Sequence, residues 1–147
     1  MHLSEFIKAP NGMYSFNFWI HPISIPSVLG VFSVELRPDT GEPDFRMVDE
    51  AKTLALFMRT HPEELQDKVY EHYKRLTAYP DWLTECSVPG NLEKNEMMPY
   101  LEVRNIVIIR EDSIQTLNSC FYISPQWDVE HAIYLKIDGV KLEYCEP

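Results

Sequence analysis

Glycine and cysteine are both scarce in this chain. The 147 residues include five glycines and three cysteines, and the sequence has no glycine-rich phosphate loop, no G-x-S-x-G turn and no H-E-x-x-H motif. Cys86, Cys120 and Cys145 are odd in number and form no C-x-x-C pair, which is typical of free thiols in a reducing cytoplasm. We therefore expect no cofactor, no metal and no catalytic activity of a recognised class.

Basic residues are also few. Thirteen Lys and Arg residues stand against 23 Asp and Glu residues, which gives a formal net charge of −10. Proteins that bind nucleic acid or anionic membranes need clustered cations, so the sequence argues against both partners. A basic protein partner is favoured instead, although the charge is equally compatible with a role in solubility alone.

Long apolar runs are missing as well. The longest uninterrupted stretches, such as Leu54 to Met58 and Ile106 to Ile109, are far too short to cross a bilayer. The N-terminus has no basic start followed by an apolar run, so it does not resemble a secretory signal. We expect a single soluble cytoplasmic domain over residues 1–147, large enough to bury a core without disulfides or a metal.

Hydrophobic periodicity indicates strands, then helices, then strands. Residues Tyr14 to Ile20 and Val31 to Leu36 alternate at period two, which predicts an antiparallel strand pair. Apolar residues at helical spacing predict two helices over 46–59 and 62–79, the first buried over much of its girth because Leu56 and Phe57 widen its apolar stripe. On the second helix, Glu64 with Lys68 and Glu71 with Arg75 predict ion pairs on a solvated face.

The last third returns to period two at 101–109, 119–123, 133–137 and 140–144. Asp138-Gly139 predicts a two-residue hairpin turn that pairs Ile137 with Val140. This pattern predicts an α+β fold: an antiparallel sheet with two central helices packed on one face and a C-terminal β-hairpin.

One concentrated polar constellation precedes the final hairpin: Trp127, Asp128, Glu130 and His131. Two carboxylates and an imidazole are able to bind a metal ion or relay a proton. In an extended segment, however, Asp128 and Glu130 share one face while His131 points to the other. We therefore predict a structural junction, with Trp127 largely buried and Asp128 or His131 bonded to nearby backbone.

The remaining candidate side chains carry weaker signals. His2, His21, His61 and His72 have no partners that suggest a site, and we expect them at the surface or at element edges. Cys120 and His131 form a nucleophile–base pair on paper, but a buried, inert Cys120 is favoured.

The stretch W-D-V-E-H-A-I at Trp127 to Ile133 resembles a W-D-x-E-H-G signature near the end of several uncharacterised small bacterial domain families. The order of an N-terminal strand pair, two helices and a closing hairpin is also similar to those families. Ala132 stands where the signature has glycine. Some of these domains are encoded beside polymorphic toxins and are suspected immunity proteins, so the resemblance implies an immunity-like role.

Two functions from different classes follow. The first is a non-catalytic cytoplasmic protein-binding domain that neutralises a partner, such as a toxin, by covering it. The alternative is a small metal-dependent or acid/base enzyme built on Asp128, Glu130 and His131. A purely structural accessory role is a third reading.

Overall fold

The computed structural model describes residues 1–9, 17–79, 81 and 87–145. Within these residues the chain forms eight β-strands and two α-helices. The strands are β1 (Ile7–Lys8), β2 (Trp19–Ile20), β3 (Ile25–Ser27), β4 (Gly30–Pro38), β5 (Leu101–Glu111), β6 (Thr116–Pro125), β7 (Ile133–Asp138) and β8 (Lys141–Tyr144). The helices are α1 (Phe45–Thr60) and α2 (Pro62–Thr77). The α+β class is confirmed, and so are both helices.

The strands form one sheet in the order β1-β2-β4-β5-β6-β7-β8, with β3 paired to β4. The sheet is mostly antiparallel, but β4 and β5 are parallel neighbours. The expectation of a wholly antiparallel sheet is therefore wrong at this pair. The reason is the long connection between Pro38 and Leu101, which contains both helices and returns the chain to the same end of the sheet as a crossover.

The predicted N-terminal strand pair is confirmed in part. Trp19 and Ile20 pair antiparallel with Leu36 and Glu35 of β4. The earlier part of that predicted strand, including Tyr14 and Phe16, lies outside the described residues.

The C-terminal hairpin forms, but its register differs from the prediction. Asp138 pairs with Lys141 and Ile137 with Leu142, so the turn is Gly139-Val140 rather than Asp138-Gly139. Gly139 adopts a φ of +65°, which the turn requires and glycine tolerates. Val140 is 64% exposed, not in the core. The partner of each residue moves by two positions, so the predicted core side chains other than Val140 still point to the same face of the sheet.

Both helices cover one face of the sheet. This face carries the fully buried Phe32, Ile106 and Phe121 from three neighbouring strands. Helix α1 begins at the N-cap Asp44, whose carboxylate accepts a hydrogen bond from the Met47 N–H at 3.1 Å. The expectation that Leu56 adds to the buried flank of α1 is wrong, because its side chain is 49% exposed.

Helix α2 closes the free edge of β8. The Glu64 carboxylate accepts the Leu142 N–H at 2.8 Å, and the Tyr144 hydroxyl donates to the Lys68 carbonyl. Glu64 therefore does not pair with Lys68, which instead lies 3.6 Å from Glu71. The predicted Glu64–Lys68 pair is wrong because the Glu64 carboxylate binds the unpaired N–H of Leu142 at the strand edge. The predicted Glu71–Arg75 pair is wrong as well, because Glu71 lies beside Lys68 and the Arg75 guanidinium lies over the Tyr144 ring, 5.0 Å from its centroid.

Candidate functional site

Trp127 anchors the predicted constellation in the core. It lies two residues after the end of β6 and is 0% exposed. Its ring meets Tyr73 of α2 edge to face, with 5.1 Å between ring centroids, a geometry that aromatic pairs prefer. The prediction of a largely buried Trp127 is confirmed.

A hydrogen bond joins Trp127 to a histidine on α2. The indole Nε1–H of Trp127 donates to Nδ1 of His72 at 3.0 Å. An indole can only donate, so Nδ1 of His72 is the acceptor and the neutral ring carries its proton on Nε2. Burial lowers the pKa of His72 to about 4, with Arg75 adding to that effect and Asp128 opposing it. At neutral pH His72 is therefore uncharged.

Asp128 organises the turn that follows. It is only 5% exposed, and its Oδ1 accepts the backbone N–H groups of Glu130 at 3.3 Å and His131 at 3.0 Å. This is the short-range turn that aspartate side chains form with the backbone two and three residues ahead. The predicted bond from Asp128 to nearby backbone is confirmed.

The same carboxylate lies between two imidazoles. Its Oδ2 is 3.9 Å from Nε2 of His72, and its Oδ1 is 3.4 Å from Nδ1 of His131. The side chain of His131 is 72% exposed, whereas that of His72 is 11% exposed. We call Trp127, His72, Asp128 and His131 the junction cluster. It connects the β6–β7 loop to α2.

The structure brings together three of the four predicted residues and separates the fourth. Glu130 is exposed and takes part only through its backbone N–H. The alternation expected for an extended segment is wrong, because the turn at Asp128 places His131 on the same side as the carboxylate.

His72 was missed as a member of the cluster. We expected it at the surface or at an element edge, as we did His21, yet both are buried, at 9% and 8% exposure. Its position three residues after the buried Val69 places it on the inward face of α2. That helical spacing is the sequence signal for its burial, but it does not reveal the tryptophan partner.

The junction cluster has little free coordinating capacity. Nδ1 of His72 is occupied by Trp127, and Oδ1 of Asp128 already accepts two backbone N–H groups. Among the residues that the structure describes, no three His, Cys, Asp or Glu side chains are arranged to hold a metal ion. The one reaction that this arrangement favours is proton transfer at the exposed His131, whose imidazole is oriented by the Asp128 carboxylate.

The protonation state of the Cys120 thiol argues against Cys120 as a nucleophile with His131 as its base. Cys120 alternates with the buried Phe121, so it lies on the sheet face opposite the helices. Burial raises the pKa of Cys120 to about 12, so the nucleophilic thiolate is not formed at neutral pH. Cys120 and Cys145 are both free thiols, and Cys86 lies outside the described residues.

Exposed carboxylates gather on the outer side of α2. Glu63, Asp67 and Glu71 follow one another at four-residue spacing. Glu96 and the N-cap Glu93 belong to a short helical turn, Lys94–Glu96, that contacts α2. Asp67 accepts a hydrogen bond from Lys94 of that turn at 2.6 Å. We call these five carboxylates the acidic face.

No protein-family model, no curated protein and no solved structure matches this chain. Among the described residues, neither helix has the length and apolar character that a bilayer span requires.

Proposed function

We propose that this chain is a non-catalytic protein-binding domain of the bacterial cytoplasm that neutralises a partner, such as a toxin, by covering it. The observation that carries the proposal is that buried polar groups of the junction cluster bind other groups of the same chain. Trp127 and Asp128 are both buried. Trp127 donates a hydrogen bond to His72, and Asp128 accepts one from a backbone N–H group. These hydrogen bonds hold the β6–β7 loop against α2. We therefore assign the function to contacts that the exposed surface makes with a partner.

The charge distribution favours a basic protein as the partner. The acidic face is exposed and adds to a net charge of −10. A field of this sign accelerates encounters with a basic surface and repels nucleic acid and anionic lipid. Steering of this kind acts through exposed charges and is weakened by salt.

The test is the association rate of the native partner, purified with this chain from its host and then separated. Between about 20 mM and 150 mM salt, the rate falls by roughly tenfold if the acidic face steers the encounter. Glu71→Lys should lower the rate at low salt. The same charge change at the exposed Asp39, in the β4–α1 loop, is the matched control. A rate that does not depend on salt contradicts the steering role.

A second candidate is an acid/base or metal-dependent enzyme that uses Asp128, Glu130 and His131. One observation favours it: the exposed His131 lies 3.4 Å from a buried carboxylate, an arrangement that orients an imidazole for proton transfer. A hydrolytic activity lost on His131→Ala, together with a stoichiometric metal, would select this candidate over the binding protein.

A further inference from the structure

A groove lies between α1 and the β3–β4 hairpin. It has a volume of about 690 Å³, and Ile25, Val28, Ala55 and Leu56 form much of its apolar lining. Leu56 is 49% exposed and Val28 38% exposed. Neither side chain belongs to the hydrophobic core. Exposed aliphatic residues that meet in a groove are typical of an interaction site.

The groove is basic, although the protein is strongly acidic. Lys52 and Arg59 line it, and among the described residues no carboxylate does. Neither cation forms an ion pair with any part of the chain that the structure describes. By comparison, Arg37, Lys94 and Arg110 each contact a carboxylate.

The two cations and the exposed leucine form one stripe along α1. Lys52, Leu56 and Arg59 follow at spacings of four and three residues, so they lie on the same face of the helix. Lys52 and Arg59 are about 10 Å apart along the helix axis. A second groove of about 520 Å³ shares Lys52 and continues to Phe45, which is 74% exposed. It also includes Asp49.

The edge of the hairpin disfavours an extended occupant. Pro26 is the central residue of β3 and pairs with Val31 of β4. Proline lacks an N–H and is found in strands where that donor would face outward. A further strand added to β3 would therefore miss its central hydrogen bond, whereas a helix needs no backbone donors from the groove.

We propose that this groove binds an acidic amphipathic helix of a partner protein. Apolar side chains of the helix pack on Leu56 and Val28, and two carboxylates about two turns apart pair with Lys52 and Arg59. Because the protein as a whole repels an acidic segment, the apolar contacts must contribute to the affinity. The inference rests on the proposed function in that the occupant is a protein, but it concerns a different surface from the acidic face.

The test uses a fluorescein-labelled helical peptide about four turns long, with leucines on one face and two glutamates seven positions apart. A second peptide replaces both glutamates with lysine. We expect the full chain to bind the glutamate peptide at least about tenfold more tightly by fluorescence anisotropy. The double variant Lys52→Glu with Arg59→Glu should reverse that preference.

Two controls separate the groove from general charge and folding effects. Lys141→Glu changes one exposed cation on β8, about 19 Å from β4 by strand spacing, and should change the affinity by less than about twofold. Leu56→Asp alters an exposed side chain, so it should abolish binding without lowering the melting temperature.

Equal affinity for the two peptides, or a preference that survives the charge reversal, would overturn the proposal. A wild-type dimer in sedimentation that Leu56→Asp converts to monomer would also overturn it, since the occupant would then be a second copy of the chain. Loss of salt-dependent association at the acidic face with peptide binding intact would reject the proposed steering and leave the groove assignment standing.

Discussion

Replacement of Trp127 measures how much the junction cluster contributes to the fold. Trp127→Ala removes a fully buried ring and leaves Nδ1 of His72 without its donor. Deletion of a large core aromatic costs about 3–5 kcal/mol of the free energy of unfolding. A buried acceptor left unpaired adds about 1–3 kcal/mol. Since small domains are stable by about 5–15 kcal/mol, we expect a variant at the edge of unfolding.

Trp127→Phe separates the two contributions. The phenyl ring keeps most of the apolar contact with Tyr73 but cannot donate to His72, so the expected loss is about 1–3 kcal/mol. Urea unfolding at pH 7.5, followed by far-ultraviolet circular dichroism, measures both variants without interference from the other two tryptophans. A loss below about 1 kcal/mol for Trp127→Ala would refute the burial argument. No loss for Trp127→Phe would refute the hydrogen bond.

Three further predictions concern other parts of the structure, and each is tested by urea unfolding. Burial lowers the pKa of His72 to about 4, so the unfolded chain takes up a proton that the folded chain refuses; stability should fall by up to about 3 kcal/mol from pH 6.5 to 4. His72→Gln should lack that component, and an unchanged pH profile would contradict it. Arg110 donates to the Thr40 and Glu42 carbonyls and to two carboxylates. Arg110→Met should therefore lower the free energy of unfolding by about 2–3 kcal/mol. A loss under about 0.5 kcal/mol would refute the role of Arg110 in fixing the start of α1. Gly30 has a φ of +99°, and an added Cβ would lie 2.9 Å from Nη1 of Arg104; Gly30→Ala should therefore cost about 1–2 kcal/mol, more than Gly139→Ala, where the added Cβ meets no atom within 4 Å.

The sequence predicts the helices well because their signals are local. The apolar spacing of α1 and α2 and the proline at the start of α2 lie within each segment. The hairpin faces are also predictable, since a shift of two positions preserves the side on which each residue points. The turn itself was misplaced because Asp138-Gly139 is the stronger dipeptide signal, whereas the chain places Gly139-Val140 in the turn.

Contacts between segments that are distant along the chain could not be predicted from the sequence. The parallel pairing of β4 with β5 depends on how α1 and α2 cross the sheet. Likewise, His72 and Trp127 are 55 positions apart, and no periodicity connects them. The motif at Trp127 to His131 predicted a junction, while its partner on α2 required the structure.

The exposed surface was the least predictable part. Leu56 continues an apolar helical pattern, and only the position of the β3–β4 hairpin decides whether it is buried. In the same way, Glu64 was expected to pair with Lys68, whereas it accepts the Leu142 N–H at the sheet edge.

The proposed function is that the chain acts by covering a partner and turns over no substrate. Its most direct test is a titration of the full chain into the purified native partner, followed through the partner's own activity. Inhibition should increase linearly and be complete at a fixed stoichiometry, with no further change over time. Progressive loss of the partner's activity at substoichiometric amounts of the chain, abolished by His131→Ala, would show turnover and reject a purely covering role.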